Sequence, residues 1–217
     1  MTEPTDLVKV YSADISLFDD PALYESSFGF VSPDRQSKAE KYHRENDKKL
    51  SVLSSILLSF ALRSEGFDIH PSICTGPHGK PYLKDREFNF NISHSATRAI
   101  CAVTSPSYEI GCDIEAYTKC DVRVAERVFE KQEQKRLESF SGEDADVLFT
   151  RMWTRKESYF KCMGIGISAI GTKQMNGYSF YEYSGFPGYS CSICLKTDDV
   201  FDPEFIEVTP EDIRSLF

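Results

Sequence analysis

Apolar and polar positions alternate from Leu7 to Leu17 (LVKVYSADISL), the period of a strand with one buried face. At Ser32 the pattern changes. Serine caps a helix N-terminus and Pro33 suits the first helical position, so SPDRQSKAEKYHREND predicts a helix. KKLSVLSSILLSFALRSEG is richly apolar, as in a buried helix or one packed on a sheet, with Gly66 as its stop. TGPHGKPYL is turn text, and FNFNIS, RAICAVT and YEIGCDIE predict three short strands. Helical stretches follow in DVRVAERVF, KQEQKRLESF and DADVLFTRMWTRKESYFKCM, the last ending at Gly164 and Gly166. YSFYEYS and YSCSICLKT return to strand around the turn GFPG. The acidic tail from Asp198 ends in a helical PEDIRSLF.

The order strand, helices, strands, then helices, strands, tail predicts an α+β fold of two halves rather than a doubly wound sheet. We expect the halves to span 1–106 and 107–217, with a seam near Ser105–Ser107 and the acidic tail packing back on the first half.

Composition narrows the classes. The chain has 217 residues, 41% hydrophobic and 27% charged, enough to bury a real core. No apolar run reaches membrane-spanning length and MTEPTDLVKV lacks the parts of a signal peptide, so a cytoplasmic protein without membrane contact is the expectation. Twenty-five basic residues against 34 acidic ones give a net charge of −9, which argues against general nucleic-acid binding. One basic island interrupts the acidity: Arg35, Lys38, Lys41, Arg44, Lys48 and Lys49, among three acids. It reads either as a solvated helix face or as a site for a phosphate-rich small molecule. Cys191 and Cys194 form a C-x-x-C, but no second pair completes a zinc site, and the seven cysteines read as small buried hydrophobes.

Four short stretches carry candidate chemistry. In IGCDIE, Asp113 and Glu115 project from one face of a strand, as a solvated strand end or as ligands for a hard cation such as Mg²⁺. In WTRKESYFKCMGIG, Trp153, Glu157 and Lys161 recur every four residues and share a helix face, with Lys156 beside them. That face offers a third carboxylate and a cation for a phosphate oxygen, or an ordinary Glu–Lys surface pair. FNISHS sets Ser93 and His94 on opposite faces of an extended chain, so the imidazole is badly placed to activate either neighbouring serine. A phosphate-binding turn or a structural histidine remains. GPHGKPY presents Lys80 and Pro81 without the spacing of a Walker loop, which removes kinases, GTPases and Rossmann dehydrogenases.

Taken in this order, GPHGKPYL, FNISHS, IGCDIE and WTRKESYFKCMGIG resemble the 4′-phosphopantetheinyl transferases of the larger, surfactin-synthetase-activator type, over roughly residues 32–170. The resemblance implies a monomer of two similar α+β halves related by a pseudo-twofold axis, with coenzyme A, the co-substrate, in the cleft between them. It implies transfer of phosphopantetheine from coenzyme A to a serine of an acyl or peptidyl carrier protein, with release of 3′,5′-ADP. Asp113, Glu115 and Glu157 would hold Mg²⁺, with Mn²⁺ as the alternative, and Lys161 would meet a pyrophosphate oxygen. Glu157, Lys161 and Asp113 form the implied catalytic set, with Glu157 the candidate base. Lys80, Pro81, Ser93 and His94 would surround the adenosine and its 3′-phosphate, Arg35, Lys38 and Lys49 would supply cations there, and Lys156 joins the cofactor-binding set. The segment AYTKCDVRVAERVFE would meet the carrier. Two other readings are open: a catalytically silent coenzyme A-binding or scaffold protein, and another Mg²⁺-dependent phosphotransferase using the same carboxylates.

Overall fold

A computed structural model describes residues 8–85, 88–165 and 175–217. Strand β1 (Val8–Asp14) runs into a 3-10 turn (Ile15–Asp19), then α1 (Pro21–Phe30), α2 (Pro33–Glu40) and α3 (Glu45–Ser64). A small hairpin, β2 (Ile73–Thr75) and β3 (Pro81–Leu83), precedes β4 (Asn89–Ser95), β5 (Arg98–Thr104) and β6 (Ile110–Ala116). Then come α4 (Val122–Val128), α5 (Lys131–Glu138), α6 (Gly142–Met163), β7 (Ser179–Tyr183), β8 (Tyr189–Leu195), β9 (Glu204–Glu207) and α7 (Pro210–Arg214).

The strands form two principal sheets, ordered β4-β5-β1-β9 and β6-β8-β7. All pairings are antiparallel except β1 with β9. Alternation along β1 and β5 explains how the sheets stack. Tyr11, Ala13, Ala99, Cys101 and Val103 face α3 in one core. Val8, Val10, Ile100 and Ala102 face the other way, against Ile110, Cys112, Ile114 and Ile193 of the second sheet. With α6 on the far side of β6 and β8, the molecule is a helix–sheet–sheet–helix stack: two α+β halves, each a long helix on a sheet, set back to back.

Local signals act where they stand. Ser32 Oγ accepts from the Arg35 nitrogen at the start of α2, with Pro33 next. Gly164, at φ 65°, closes α6, where the left-handed conformation favours glycine; Gly166 lies outside the described residues. Helix α1 begins with the same pairing as α2, Asp20 as cap and Pro21 after it. The tail adds β9 to the first half's sheet, and Val208, Ile213 and Leu216 enter the core beneath α3. Cys191 and Cys194 lie in different apolar clusters, and Cys74, Cys101, Cys112, Cys120 and Cys162 are likewise free thiols. Packing accounts for the C-x-x-C. Among the described residues no helix is long and apolar enough to cross a membrane.

Candidate active site

Gly111 sets the distance between α6 and β6. A Cβ there would lie 2.1 Å from the Ser158 carbonyl oxygen and 2.3 Å from the Cys162 nitrogen, so only glycine lets the helix backbone rest on the strand. By alternation the face of β6 that meets α6 also carries Asp113 and Glu115. Trp153 packs α6 against the cluster formed by Ala125, Val128, Phe129 and Leu137 of α4, α5 and their junction, which seats the helix.

At the contact, Lys161 Nζ donates to Asp113 Oδ1 at 2.5 Å and to Ser93 Oγ at 2.9 Å. The Ser93 hydroxyl donates to the same Asp113 oxygen at 2.8 Å. Asp113 is 2% exposed, and its second oxygen, Oδ2, is buried with no hydrogen-bond partner among the described residues. A buried carboxylate oxygen without a partner is costly, and a cation is a group that would satisfy it. Ser95 Oγ donates to Glu115 at 2.7 Å. Among the described residues no three His, Cys, Asp or Glu side chains form a ready-made metal cage.

The electrostatics of the three acids are linked. Burial pushes the Asp113 carboxyl up, against the pull of Lys161 and the Ser93 hydroxyl. Burial also raises Glu115, against the Ser95 bond, with Asp113 adding to the rise. Glu157 is pushed up to about 7, by burial first and then by the Asp113 charge, with Lys161 opposing and Glu115 adding. Burial alone would lower Lys161, but the Asp113 carboxylate outweighs it and the ammonium is held more firmly. Three acids and one lysine thus share a partly desolvated space with a surplus of negative charge, where a cation would favour the carboxylate forms.

His94 stands at the exposed end of β4, yet enough protein surrounds it to depress its pKa. Desolvation is the first cause and Lys161 the second; Lys38 and Arg35 add to it, and Asp47 opposes. The island residues Arg35 and Lys38 therefore act on the same space as Lys161. Neither makes a side-chain ion pair among the described residues. Pro81 lines two cavities, one of about 210 Å³ shared with Arg35 and Phe90, the other of about 520 Å³ shared with Lys80 and Gly164.

The other three lysines expected at the cofactor each make an ion pair within the protein. Lys80 Nζ lies 3.0 Å from Glu109 and donates to the carbonyls of Ile110 at 3.1 Å and Cys162 at 2.9 Å, tying the β2–β3 hairpin to β6 and the end of α6. Lys156, 6% exposed, lies 2.9 Å from Glu133 and joins α6 to α5. Lys49 Nζ is 3.5 Å from Asp19, beside α1. Sequence reasoning missed Ser95 as a partner of Glu115. The signal was there, since Ser93 and Ser95 have the same two-residue period as Asp113 and Glu115.

Known proteins resemble this chain over most of its length. Residues 109–209 match the 4′-phosphopantetheinyl transferase superfamily. The chain is 30% identical to the 4′-phosphopantetheinyl transferase Sfp of Bacillus subtilis (strain 168), over 88% of this chain and 90% of that protein. It is 27% identical to the 4′-phosphopantetheinyl transferase gsp of Aneurinibacillus migulanus, over 86% and 85% of the two chains. A putative 4′-phosphopantetheinyl transferase of a Synechocystis strain is 33% identical over 71% of this chain and 68% of its own. With near-complete coverage by such a relative, and with its acids, lysine and serine gathered at the seam between two α+β halves, the chain belongs to the 4′-phosphopantetheinyl transferase superfamily.

Proposed function

We propose that this protein transfers the 4′-phosphopantetheine group of coenzyme A to a serine of an apo acyl or peptidyl carrier protein, in a Mg²⁺-dependent reaction carried by the Asp113, Glu115, Glu157 and Lys161 constellation. The transfer itself is the family's reaction. The observation that carries the metal assignment is the orphaned Asp113 Oδ2 in a pocket with surplus negative charge. Mg²⁺ takes oxygen ligands and keeps waters and substrate phosphates among them, so it needs no complete protein cage. The donor set fits it. When bound by Asp113, Glu115 and Glu157, the ion would neutralise charge on the pyrophosphate as the serine attacks.

The chain's own residues account for the remaining tasks. Lys161, held as a cation by Asp113, offers a charge to a pyrophosphate oxygen. The new bond joins the carrier serine oxygen to the β-phosphorus, the bond from that phosphorus to the bridging oxygen breaks, and 3′,5′-ADP leaves. Glu157 has two oxygens, one free to take the serine proton while the other serves the ion. Arg35, Lys38 and His94 meet the 3′-phosphate. Pro81 and the hairpin backbone, rather than the Lys80 ammonium, face the adenosine, because that ammonium already serves Glu109 and two carbonyls. Lys49 and Lys156 support the cofactor site from a distance, through Asp19 and Glu133. A carrier helix meets the α4 segment, where Val122 is 63% exposed beside Arg123.

Intact-mass spectrometry of apo carrier proteins tests this reading. Incubation with the protein, coenzyme A and Mg²⁺ should add one phosphopantetheine per carrier, and EDTA should abolish the gain. A panel of acyl and peptidyl carriers that gains no mass, while calorimetry records coenzyme A binding, would establish a silent binder instead.

A further inference from the structure

Strand β6 has two edges. One pairs with β8 along Ile110–Ala116. The other faces β4, which is not its partner in either sheet. Alternate side chains of β4 take the place of backbone acceptors there. The Cys112 nitrogen donates to Asn91 Oδ1 at 2.9 Å, the Ile114 nitrogen to Ser93 Oγ at 3.3 Å, and the Ala116 nitrogen to Ser95 Oγ at 3.2 Å. Each rung advances two residues on both strands, so the register is fixed by side chains with the period of a sheet. The two serine rungs do a second thing. While accepting from the backbone of β6, each donates its hydroxyl hydrogen to the acid preceding that nitrogen, Ser93 to Asp113 at 2.8 Å and Ser95 to Glu115 at 2.7 Å.

This two-way use of one hydroxyl has a geometric consequence. A serine that both receives a backbone N–H and donates to the adjacent carboxylate ties the carboxylate's position to the strand's position. Carboxylates that hold a metal commonly depend on such partners for orientation. We propose that Ser95 is a positioning residue for the transfer reaction: through the side-chain ladder of Asn91, Ser93 and Ser95 it holds the Glu115 carboxylate at the floor of the cleft, aligned with Asp113. The proposal rests on the metal-dependent reading above. It concerns Ser95 because Ser93 also touches Lys161 and Asn91 is 4% exposed, so changes at either would disturb more than one acid or the packing of the seam. Ser95 is half-buried, and its hydroxyl meets one acid, Glu115, and one backbone nitrogen, that of Ala116.

The test compares Ser95→Ala with Ser95→Thr in the full-length protein. Loss of the hydroxyl should raise the Mg²⁺ concentration needed for half-maximal transfer about tenfold and lower kcat by a similar factor, while KM for coenzyme A stays within about twofold. Threonine keeps the hydroxyl on a strand and should restore both. A second readout needs no turnover: the rise in Tm when Mg²⁺ is added to the coenzyme A complex should shrink in Ser95→Ala and return in Ser95→Thr. Equal losses in the two variants, or an unchanged Mg²⁺ requirement in Ser95→Ala, would overturn the positioning role. A wild-type protein that loads no carrier would instead sink the functional reading, so the two failures are told apart.

Discussion

Helices α3 and α6 hold equivalent places in the stack, yet they are built from different chemistry. Over its 20 residues α3 turns Leu50, Leu53, Ile56, Leu57 and Leu62 into the core, all 3% exposed or less. The 22-residue α6 buries Thr150, Thr154, Lys156 and Ser158 along with Phe149, Tyr159 and Phe160. Its hydroxyls bond mainly to its own turns, Thr150 to the Asp146 carbonyl at 2.8 Å and Thr154 to the Thr150 carbonyl at 2.7 Å. That answers the backbone and side-chain polar groups that burial would otherwise leave unpaired. The first helix also buries Ser51, Ser54 and Ser59, but its burial is mainly apolar; the second trades some of that for a backbone-to-backbone approach at Gly111 and for acids held against a lysine. Apolar packing and the acid–lysine contact are thus divided between the two helices, and substitutions should separate them.

The largest effects should come from the two packing contacts themselves. Leu53→Ala should cost about 2–5 kcal/mol, the range for emptying a buried leucine. It should leave the transfer rate per folded molecule near that of the parent, since Leu53 itself lines neither of the cavities beside Pro81. Gly111→Ala should destabilise by about 1–3 kcal/mol or more, because the new methyl group meets backbone rather than a flexible side chain. Unlike Leu53→Ala, it should also lower kcat, as α6 must move off the strand and take Lys161 with it. Denaturant unfolding paired with rate per folded molecule checks both. If Leu53→Ala loses as much kcat as Gly111→Ala, the division of labour between the helices is wrong.

At Glu157 stability and activity should move in opposite directions. Its carboxyl titrates near 7 in the fold, above its ordinary value near 4.5. The folded protein therefore binds the proton more tightly than the unfolded chain does. This group's contribution to stability is full below about 4.5 and is lost as pH rises towards 7. Glu157→Gln removes the charge, so in the metal-free protein at pH 8 it should raise Tm. Discounted for partial exposure, the gain is about 1 kcal/mol, or roughly 2–4 °C for a chain of this size. The same substitution should cut transfer about a hundredfold, near 2.7 kcal/mol in the barrier. Thermal melts at pH 5 and pH 8 beside the carrier assay decide it: a lower Tm at pH 8 would show that Glu157 is not strained by its neighbours.

How much of this was legible follows from the range over which each feature is encoded. Ser32-Pro33 and Gly164 mark helix ends because capping is settled within a turn of chain. The strands FNFNIS, RAICAVT and YEIGCDIE were readable from local apolar content. Helix α1 carried the same start signal, Asp20-Pro21, but its weakly amphipathic run PALYESSFGF gave no helical period to follow it. Strand β9 is four residues long and takes its place only by parallel pairing to β1, nearly two hundred residues earlier, which no local pattern reveals. Site residues divide likewise. The two-residue period of Asp113 and Glu115 and the four-residue period of Glu157 and Lys161 placed these groups on single faces. The fates of Lys49, Lys80 and Lys156 depended on Asp19, Glu109 and Glu133, partners that only the tertiary fold supplies.

The smallest effect concerns the edge of the first half that reaches the site. His94 is held below its ordinary value by desolvation and then by Lys161, with Lys38 and Arg35 adding. It is therefore neutral at pH 7.5 and gains its charge only below its ordinary range near 6.5. In the free protein the sign is unfavourable: the fold binds this proton less tightly than the unfolded chain, so stability falls as pH drops through that range. A 3′-phosphate bound at Arg35, Lys38 and His94, as proposed, would reverse the balance by giving the imidazolium a partner. Acidification also protonates the phosphate itself, with a second pKa near 6, which weakens binding in any variant. The informative quantity is the difference between parent and His94→Gln. Between pH 7.5 and 5.5, coenzyme A affinity measured by calorimetry should fall less in the parent than in His94→Gln, by roughly two- to fivefold, the reach of an exposed ion pair. Dephospho-coenzyme A, which lacks the 3′-phosphate, should show no such difference. Equal pH profiles for parent and variant with coenzyme A would place the 3′-phosphate away from β4 and leave Arg35 and Lys38 as its partners without the histidine.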